Sequence, residues 1–480
     1  MVKSLYYGII SCLILNGIWA AEQKPNIILV MADDQGYGDV GFNGHPFLKT
    51  PHLDAMAKAG VVMDRFYAAA PVCSPTRASV MTGRHPMRTN VPNHGHYLRP
   101  NENTLAEGLK SAGYVTGHFG KWHIGSVQPE SPTSPGGAGF DEWLTGLNFF
   151  DNDPYLSRNG KYEHLKGKGT ALTMDATLDF LKKHKDGAKP MFAVTWFPAP
   201  HYPHSELPEA MEINMYVEAD IYRGYYLEIA LIDEQVGRLR KALREMKIEQ
   251  NTIVWYCSDN GGLVEKYSGG RAMKGSIYEG GLRVPSIIEW PEKLTPRVCR
   301  VPMTTSCMYP TLMNIAGAKI PDARPLDGND EIIRIKGLGK KALSSQPMGF
   351  WHLYMRGENT RSDQIIKALM DAQEKGEKNP YPFRVMKNVL DFPERKSRGL
   401  VGHAAWNDWP WKLHRIEMKK GEVVTELYDL QKDPMEKVNL AEQEPERVKK
   451  MRTTLERWQR SVLNSWEGKD YPELPELKRR

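Results

Sequence analysis

The first half of the chain alternates short apolar runs with stretches in which apolar residues recur at helical spacing. The apolar runs predict buried strands over Asn26–Met31, Tyr114–Gly117, Met191–Phe197, Ile253–Ser258 and Pro285–Trp290. The stretches between them predict helices over Pro51–Ala59, Ala78–Thr82, Thr104–Ser111, Met174–Lys182 and Tyr222–Met246. Strands that are apolar on both faces and alternate with helices predict an α/β domain, in which helices cover both faces of a large, mixed but mostly parallel sheet.

The pattern changes after about Ala316, so we expect a larger domain over residues 22–320 and a smaller one over residues 321–480. Short strand-like pieces follow at His403–Trp406, Trp411–Ile416 and Val423–Tyr428, and Glu444–Ser461 has the spacing of an amphipathic helix. The charged stretch 357–400 also carries apolar residues at helical spacing. These elements predict a smaller α+β domain built on an antiparallel sheet.

Residues 1–20 have the pattern of a secretion signal. Lys3 precedes an apolar run from Leu5 to Ile18, and Ala20 offers a cleavage point. The run is short for a membrane span, which needs about 20 apolar residues. An alternative is a lipoprotein signal anchored through Cys12. We therefore expect a periplasmic or secreted protein without stable membrane insertion.

Composition narrows the range of partners. The 480 residues are 41% hydrophobic, enough for one large core and a smaller one, and the formal net charge is +6. This mild basic excess favours an anionic ligand. Because the chain has no recognised nucleic-acid-binding module, we expect no nucleic-acid partner. Cys299 and Cys307 could form a disulfide in an oxidising compartment or remain free thiols.

Residues 73–84 carry the most specific chemical signal in the chain, Cys-Ser-Pro-Thr-Arg-Ala-Ser-Val-Met-Thr-Gly-Arg. Taken alone, the segment could be a Pro turn that opens a helix near Ala78, with Cys73 as a small buried residue. Its combination of Cys-x-Pro-Thr-Arg and Thr-Gly-Arg resembles the maturation signal of the type I sulfatases, the arylsulfatase family of the alkaline phosphatase superfamily. The resemblance implies the alkaline-phosphatase-like fold and the activity of a sulfuric ester hydrolase.

The resemblance also implies a modified nucleophile. In that family a formylglycine-generating enzyme or an anaerobic sulfatase-maturating enzyme oxidises the motif cysteine, here Cys73, to formylglycine (3-oxoalanine). A thiol is a soft nucleophile, whereas a hydrated aldehyde carries two hydroxyls on one carbon. One hydroxyl can attack sulfur, and the second can expel sulfate by re-forming the aldehyde.

Two polar pairs follow predicted strands of the larger domain. Asp33 and Asp34 follow the first strand, and Asp259 and Asn260 follow a later one. Each pair alone could cap a helix or a turn. Carboxylate and amide oxygens are hard ligands that suit Ca²⁺ or Mg²⁺. The resemblance implies that these four residues, together with residue 73, bind one divalent cation, which we expect to be Ca²⁺, with Mg²⁺ possible.

Further motifs supply cations and histidines. Gly-Lys-Trp-His-Ile-Gly contains Lys121 and His123, Pro-Ala-Pro-His contains His201, and Lys274 precedes Gly-Ser-Ile-Tyr-Glu-Gly-Gly. The resemblance implies that Arg77 orients the hydrate and that Lys121 and Lys274 contact the sulfate. It implies that His123 acts as a base in the expulsion of sulfate. His201 would donate a proton to the leaving oxygen.

The resemblance runs from about Lys24 to Ala441, and residues 327–400 depart from the family pattern. We expect a sulfated sugar or polysaccharide fragment as substrate. Two alternatives stay open: a phosphodiesterase or phosphonate monoester hydrolase on the same fold, and a non-catalytic binder of sulfated glycans with unmodified Cys73. Six residues are predicted to line the substrate cleft: His94, His96, Tyr97, His403, Trp406 and Trp409.

Overall fold

The computed structural model describes residues 23–204, 220–321, 323–338, 345–387, 399–419 and 421–471. The predicted secretion signal and Cys12 lie outside these residues. None of the helices in the described ranges is both long enough and apolar enough to cross a membrane. Cys299 and Cys307, which lie within the described ranges, are buried free thiols.

The strands are numbered in chain order. They are β1 Asn26–Ala32, β2 Val61–Met63, β3 Phe66–Tyr67, β4 Val115–Lys121, β5 Glu142–Gly146, β6 Tyr155–Arg158, β7 Lys161–His164, β8 Met191–Trp196, β9 Thr252–Ser258, β10 Ser286–Glu289, β11 Arg297–Cys299, β12 Met303–Thr304, β13 Met348–His352, β14 Gly402–Asp408, β15 Trp411–Lys419 and β16 Glu422–Asp429.

The α-helices are numbered in the same way. They are α1 Pro51–Ala59, α2 Cys73–Thr82, α3 Leu105–Ser111, α4 Gly169–His184, α5 Asp220–Glu245, α6 Glu279–Leu282, α7 Met308–Ile315, α8 Ile332–Lys336, α9 Ser362–Lys375 and α10 Pro445–Trp466.

Ten of the described strands form one mixed sheet in the order β11-β2-β10-β9-β1-β8-β4-β5-β6-β7. The central neighbours β9, β1, β8, β4 and β5 are parallel, whereas β10 and the β6–β7 hairpin run antiparallel. Alternate residues of β1 point to opposite faces: Ile27 packs in a cluster with α2, α3 and α7, and Ile28 packs in one with α1, α4 and α5. The predicted sheet between two layers of helices is thus confirmed.

The register of this sheet brings the motif residues together. Ala32 at the end of β1 pairs with Ser258 at the end of β9, so that Asp33 and Asp259 follow neighbouring positions. β4 ends at Lys121, and β8 leads through Phe197 toward His201. Ligands bind outside the carboxyl ends of strands in sheets of this kind, and the four strands deliver their polar residues to that edge.

Helix α2 begins at Cys73, so the prediction of a helix that opens near Ala78 is wrong. The first N–H groups of a helix have no partner within it, and Pro75 in the first turn therefore disrupts no helical hydrogen bond. The helix ends at Thr82, and the next residue, Gly83, adopts the left-handed conformation that glycine tolerates, with φ of 69°. Residue 73 is consequently the first residue of a buried helix.

The smaller antiparallel sheet is also confirmed, with the order β13-β14-β15-β16. One of its faces packs against α10 in an apolar cluster that includes Trp351, Leu413 and Leu455. Helix α9 lies instead on the β6–β7 side of the large sheet, where Ile366 and Leu369 pack with Tyr97. The charged stretch after residue 357 therefore contains the predicted helix, and its apolar face covers that edge.

A buried charged cluster, here called the joint cluster, links α6 to the smaller sheet; it comprises Glu279, Lys412, His414 and Glu436. Lys412 Nζ donates to Glu279 Oε1 at 2.9 Å and lies 3.1 Å from Glu436 Oε1. His414 Nε2 lies 2.8 Å from the same oxygen of Glu436, whose Oε2 accepts the backbone N–H of Glu279 at 2.7 Å. Every charged side chain of the joint cluster is therefore paired.

Candidate active site

Four oxygen-bearing side chains meet at the ends of β1 and β9, and all four are buried. The backbone N–H of Asp34 donates to Asp259 Oδ1 at 3.1 Å, and Asn260 Nδ2 donates to Asp34 Oδ1 at 2.8 Å. Asp34 adopts a φ of 75°, an uncommon value for a residue with a side chain. These contacts hold the side chains of Asp33, Asp34, Asp259 and Asn260 in one cluster.

Each carboxylate of this cluster is paired with a cation from another element. Arg77 Nη2 donates to Asp259 Oδ2 at 2.7 Å, and Arg77 Nη1 donates to the backbone oxygen of Lys121 at 3.0 Å. Lys121 Nζ donates to Asp33 Oδ2 at 2.5 Å, and Lys274 Nζ donates to Asp34 Oδ2 at 2.6 Å. Three cations thus balance three carboxylates in a site of low dielectric constant.

The surroundings shift the pKa values of Asp33 and Asp259, which follow β1 and β9, in opposite directions. Burial alone would raise the pKa of Asp33, but the ammonium of Lys121, with His201 and Arg77, holds it well below its usual range. Burial and the neighbouring charge of Asp33 raise the pKa of Asp259 to about 7. Burial thus acts on both carboxyls, and the cations beside Asp33 keep that group a carboxylate at neutral pH.

Two buried oxygen atoms without a hydrogen-bond partner show that the cluster fits a cation. Among the residues that the structure describes, Asp33 Oδ1 and Asn260 Oδ1 are buried and lack a hydrogen-bond partner. Ligand atoms of Asp33, Cys73 and Asp259 lie within 4.8 Å of one another. Buried polar atoms are rarely left unpaired, and oxygen ligands suit Ca²⁺ or Mg²⁺. The residues present therefore fit a divalent cation.

Cys73 lies beside this oxygen cluster and faces a histidine. Its Sγ is 3.3 Å from His123 Nδ1, and only 2% of the residue is exposed. Burial raises the pKa of the thiol, so the unmodified side chain stays protonated and is a poor nucleophile. Burial, together with Lys121 and Arg77, holds the pKa of His123 well below its usual range. The neutral ring can accept a proton from residue 73.

His201 and Lys274 form the open side of the site. About a quarter of each side chain is exposed, at 25% for His201 and 23% for Lys274, whereas Arg77 and Lys121 are inaccessible. His201 Nε2 lies 3.8 Å from Asp34 Oδ2, and its ring stacks on Phe149 with centroids 5.0 Å apart. Burial lowers the pKa of His201, while Asp34 partly opposes that shift. The site therefore opens to solvent beside His201 and Lys274.

The predicted cleft residues fall into two groups. The ring of His94 lies 6.5 Å from that of His123, and its Nδ1 is 3.2 Å from the backbone oxygen of Glu358. His96 follows it in the chain and is half-buried. Tyr97 is packed in the apolar cluster beneath α9. The structure thus brings His94 close to the centre and places Tyr97 in the core.

The other three predicted cleft residues lie in or beside the smaller sheet. His403 is buried, and its Nε2 lies 2.8 Å from Nδ1 of His414 in the joint cluster. Trp406 packs against Trp458, and Trp409 lies beneath the guanidinium of Arg65 at 3.7 Å. The contacts of these three side chains are with residues in or beside the smaller sheet, and none of those contacts is with Cys73.

A pocket beside His201 contains residues that the sequence alone did not indicate. Its lining includes Phe149, Asp151, Lys168 and Glu228. Of these four, only Glu228 could have been found from periodicity, because it lies four residues before the buried Ile232 on the same face of α5. The other lining residues lie in or beside loops, where periodicity carries no information about which side chains converge.

Comparison with known proteins gives a consistent result. The sequence model described as Sulfatase matches residues 25–318. The chain is 31% identical to N-acetylgalactosamine-6-sulfatase of Canis lupus familiaris over 71% of this chain and 70% of that protein. It is also 31% identical to an ulvan-active sulfatase of Formosa agariphila, over 64% of each. The chain thus spans about two thirds of the length of these curated relatives.

A solved structure resembles the whole fold. The crystal structure of Ps i-CgsB in complex with k-i-k-neocarrahexaose superposes with a TM-score of 0.75, over 92% of this chain and 94% of that one. The two sequences are 24% identical, so this likeness concerns the fold alone. It extends beyond the range of the family match, into the part that contains the smaller sheet.

Proposed function

The chain belongs to the sulfatase family and is a sulfuric ester hydrolase, and we propose that it hydrolyses sulfate esters of a sugar through formylglycine at residue 73. One observation carries the proposal. Cys73 Sγ, at the start of α2, faces both His123 and the oxygen ligands of Asp33 and Asp259. A residue that has to be both nucleophile and neighbour of a cation needs this position.

Formylglycine would supply hydroxyl oxygens at residue 73 once its aldehyde is hydrated. The surrounding side chains favour that chemistry. His123 Nδ1 lies within reach of residue 73, and its pKa is held low, so the ring can take a proton there. Arg77 crosses from α2 to Asp259 and so fixes the start of the helix against the ligand cluster.

Asp33, Asp34, Asp259 and Asn260 would hold the divalent cation, for which we propose Ca²⁺. When bound, the cation would act as a Lewis acid on the sulfate oxygens and align the ester. Lys121 and Lys274 already flank the cluster and present their ammonium groups to it. Preorganised positive charge is most effective where negative charge develops in the transition state.

The leaving oxygen of the ester would lie on the open side of the site. His201 is the histidine exposed there, and Lys274 is beside it. An anionic ester bound next to the ring raises the pKa of the imidazole, so that His201 can carry the proton that the leaving alcohol needs.

The sugar assignment rests on the relatives and on charge. The ulvan-active sulfatase and the N-acetylgalactosamine-6-sulfatase are named for sulfated sugars, and both are 31% identical to this chain. The net charge of +6 favours an anionic substrate. We also propose export to the periplasm or medium. This proposal is based on the predicted secretion signal in residues 1–20, which lie outside the described residues.

The proposal is tested first by the mass of the peptide that contains residue 73, from protein made in its native host. Replacement of the thiol by an aldehyde lowers that mass by about 18 Da, which is the change expected if the hydrate is the nucleophile. Hydrolysis of monosulfated sugars is then measured for wild type and Cys73→Ala. We expect turnover by wild type and none by the variant.

Two results would support the alternatives instead. A faster hydrolysis of a phosphate diester or a phosphonate monoester than of any sulfate ester would indicate the phosphorus-directed enzyme. An unmodified thiol, with sulfated glycans bound but not hydrolysed, would indicate a binding protein.

A further inference from the structure

His94 lies beside the proposed base of the reaction, and its neighbours connect it to the nucleophile. The centroid of its ring is 6.5 Å from that of His123. The next residue, Gly95, donates its backbone N–H to Ser74 Oγ at 3.2 Å, and Ser74 follows Cys73 in the chain. His94 itself is partly exposed. It therefore borders the space that a sugar would occupy when its sulfate ester lies at residue 73.

A segment before α9 holds His94 in place. The backbone N–H of Glu358 donates to the backbone oxygen of His94 at 2.9 Å. The Glu358 carboxylate pairs with Lys387, whose Nζ also donates to the backbone oxygen of Gly95 at 3.2 Å. Gly357 lies against the ring, since a Cβ at this position would be 2.1 Å from His94 Nε2. The ring is therefore fixed by contacts with both its backbone and its side chain.

The hydrogen bond of the ring determines which of its nitrogens carries hydrogen. Nδ1 of His94 is 3.2 Å from the backbone oxygen of Glu358, and a carbonyl oxygen can only accept, so Nδ1 is the donor. Burial lowers the pKa of His94; the hydrogen bond to Glu358 opposes this shift, and the charges of Lys274 and Lys121 add to it. In the neutral ring Nε2 then has a lone pair and no hydrogen. Among the residues that the structure describes, none donates to it.

An acceptor at this position differs from the rest of the site, which presents cations to the sulfate. A sulfate oxygen carries no hydrogen and cannot satisfy the lone pair of Nε2. The partner of His94 Nε2 therefore has to be a hydrogen-bond donor on another part of the substrate. The segment that holds His94 lies beyond residues 25–318, the range of the family match. This location favours a role in recognising the sugar over a role in the chemistry that the family shares.

We infer that His94 Nε2 accepts a hydrogen bond from a free hydroxyl of the sulfated sugar and so determines which sugar sulfates are hydrolysed. The inference rests on the proposed function. A sugar with that hydroxyl supplies the missing donor. A sugar in which the same oxygen carries a second sulfate, or in which the hydroxyl is absent, leaves the lone pair unsatisfied. His94 is then a specificity-determining residue, and the transfer of the sulfate is left to the residues described above.

The test starts from methyl galactosides and methyl glucosides that carry one sulfate ester, and from protein with formylglycine at residue 73. For the compound that is hydrolysed fastest, analogues are prepared in which each remaining hydroxyl in turn is replaced by hydrogen. We would measure kcat/KM for wild type, His94→Ala and His94→Gln, since the amide oxygen of glutamine can also accept a hydrogen bond. The control is His164→Ala, an exposed histidine at the end of β7.

In wild type, loss of one particular hydroxyl should lower kcat/KM by about tenfold, the size expected for one hydrogen bond. His94→Ala should lose about the same factor on the parent compound and little more on that analogue, because both changes remove the same hydrogen bond. His94→Gln should keep part of the discrimination, and His164→Ala should keep all of it. Thermal melting establishes that each variant is folded.

The inference and the proposed function fail in different ways. If His94→Ala lowers kcat/KM equally for the parent compound and for every analogue, the role of His94 in recognising a hydroxyl is overturned. If His94→Ala does not fold, the wild-type series decides, and an analogue series in which no change exceeds about twofold overturns the inference as well. If wild type with formylglycine hydrolyses none of the monosulfated sugars, the proposed function fails and the inference fails with it.

Discussion

Two buried charged clusters in this molecule resemble each other in composition and differ in one respect. In the joint cluster Lys412 lies between two carboxylates. In the cluster of Asp33, Asp34, Asp259 and Asn260, here called the catalytic cluster, Asp33 has one carboxylate oxygen 2.5 Å from Lys121 Nζ. Both lysine side chains are fully inaccessible. Within the described chain, the polar side-chain atoms of the joint cluster are paired, whereas Asp33 Oδ1 and Asn260 Oδ1 of the catalytic cluster are not.

The difference distinguishes a structural site from a functional one. A buried charge that serves only the fold needs an internal partner, since an unpaired one costs several kcal/mol. Oxygen atoms that remain unpaired in a dry site keep that cost until something else binds them. The unpaired oxygens of Asp33 and Asn260 lie beside carboxylates and ammonium groups at the edge of the sheet, and this combination marks the place where a divalent cation is expected.

The largest effect is expected from Lys121→Met. In the proposed mechanism the substitution removes a cation that faces the sulfate, and kcat should fall by about 10²–10³-fold, since preorganised charge acts mainly on the transition state. With Ca²⁺ present the melting temperature should change little, because the divalent cation balances the negative charge of the Asp33 carboxylate. Activity assays and thermal melting in Ca²⁺ check both parts. A variant that loses stability but keeps its rate would make Lys121 a structural residue.

The same substitution at Lys412 should have the opposite outcome. Lys412→Met leaves Glu279 and Glu436 buried without their cation, and breaking such a pair costs about 3–5 kcal/mol. Turnover per folded molecule should remain of the same order as in wild type. Denaturant unfolding measures the first effect and active-site titration the second. An unchanged unfolding free energy would show that the joint cluster is not what links α6 to the smaller sheet.

The smallest effect is expected from pH acting on cation binding. Burial and Asp33 raise the pKa of Asp259 to about 7 in the cation-free protein, so a proton competes with the cation below that pH. The apparent affinity for Ca²⁺ should fall by up to about tenfold for each pH unit below 7. Asp33, whose pKa is held low, adds no proton in this range.

The raised pKa of Asp259 also determines how the stability of the cation-free protein changes with pH. Folded Asp259 holds its proton up to a higher pH than in the unfolded chain, so its contribution to cation-free stability declines as pH rises from about 4 to 7. Bound Ca²⁺ opposes that decline. The melting temperatures measured in Ca²⁺ and in EDTA should move apart as pH rises from about 5 to 7. Curves that stay parallel would contradict the assignment of Asp259 as a ligand.

The sequence was most informative where strands end in polar pairs. The apolar run before Asp33 and the one before Asp259 predicted β1 and β9 to within one residue, and their parallel register then brings both pairs together. The prediction for β4 stopped at Gly117, although the strand continues to Lys121. Its last residues pair with β5, and a contact between distant strands leaves no periodic signal in the strand itself.

Other features depended on contacts that a linear pattern does not contain. The strands β5, β6 and β7 are only four or five residues long, and no residue of β7 is buried, so their alternation was too weak to read. His403 and Trp409 lie in a segment whose aromatic residues favoured a sugar cleft. In the folded chain one completes the hydrogen bonding of His414 and the other packs under Arg65. Which partner an aromatic side chain meets is decided by tertiary structure.

The position of Cys73 has a consequence for the order of events during synthesis. Residue 73 leaves the ribosome long before Asp259 and Lys274, which close around it in the finished fold and help to leave it 2% exposed. If residue 73 is modified as proposed, the modifying enzyme has access to it only until the later strands join the sheet. A molecule that folds before it is modified is sealed in its unmodified form. Whether a molecule of this protein becomes catalytically active would therefore be determined during its synthesis.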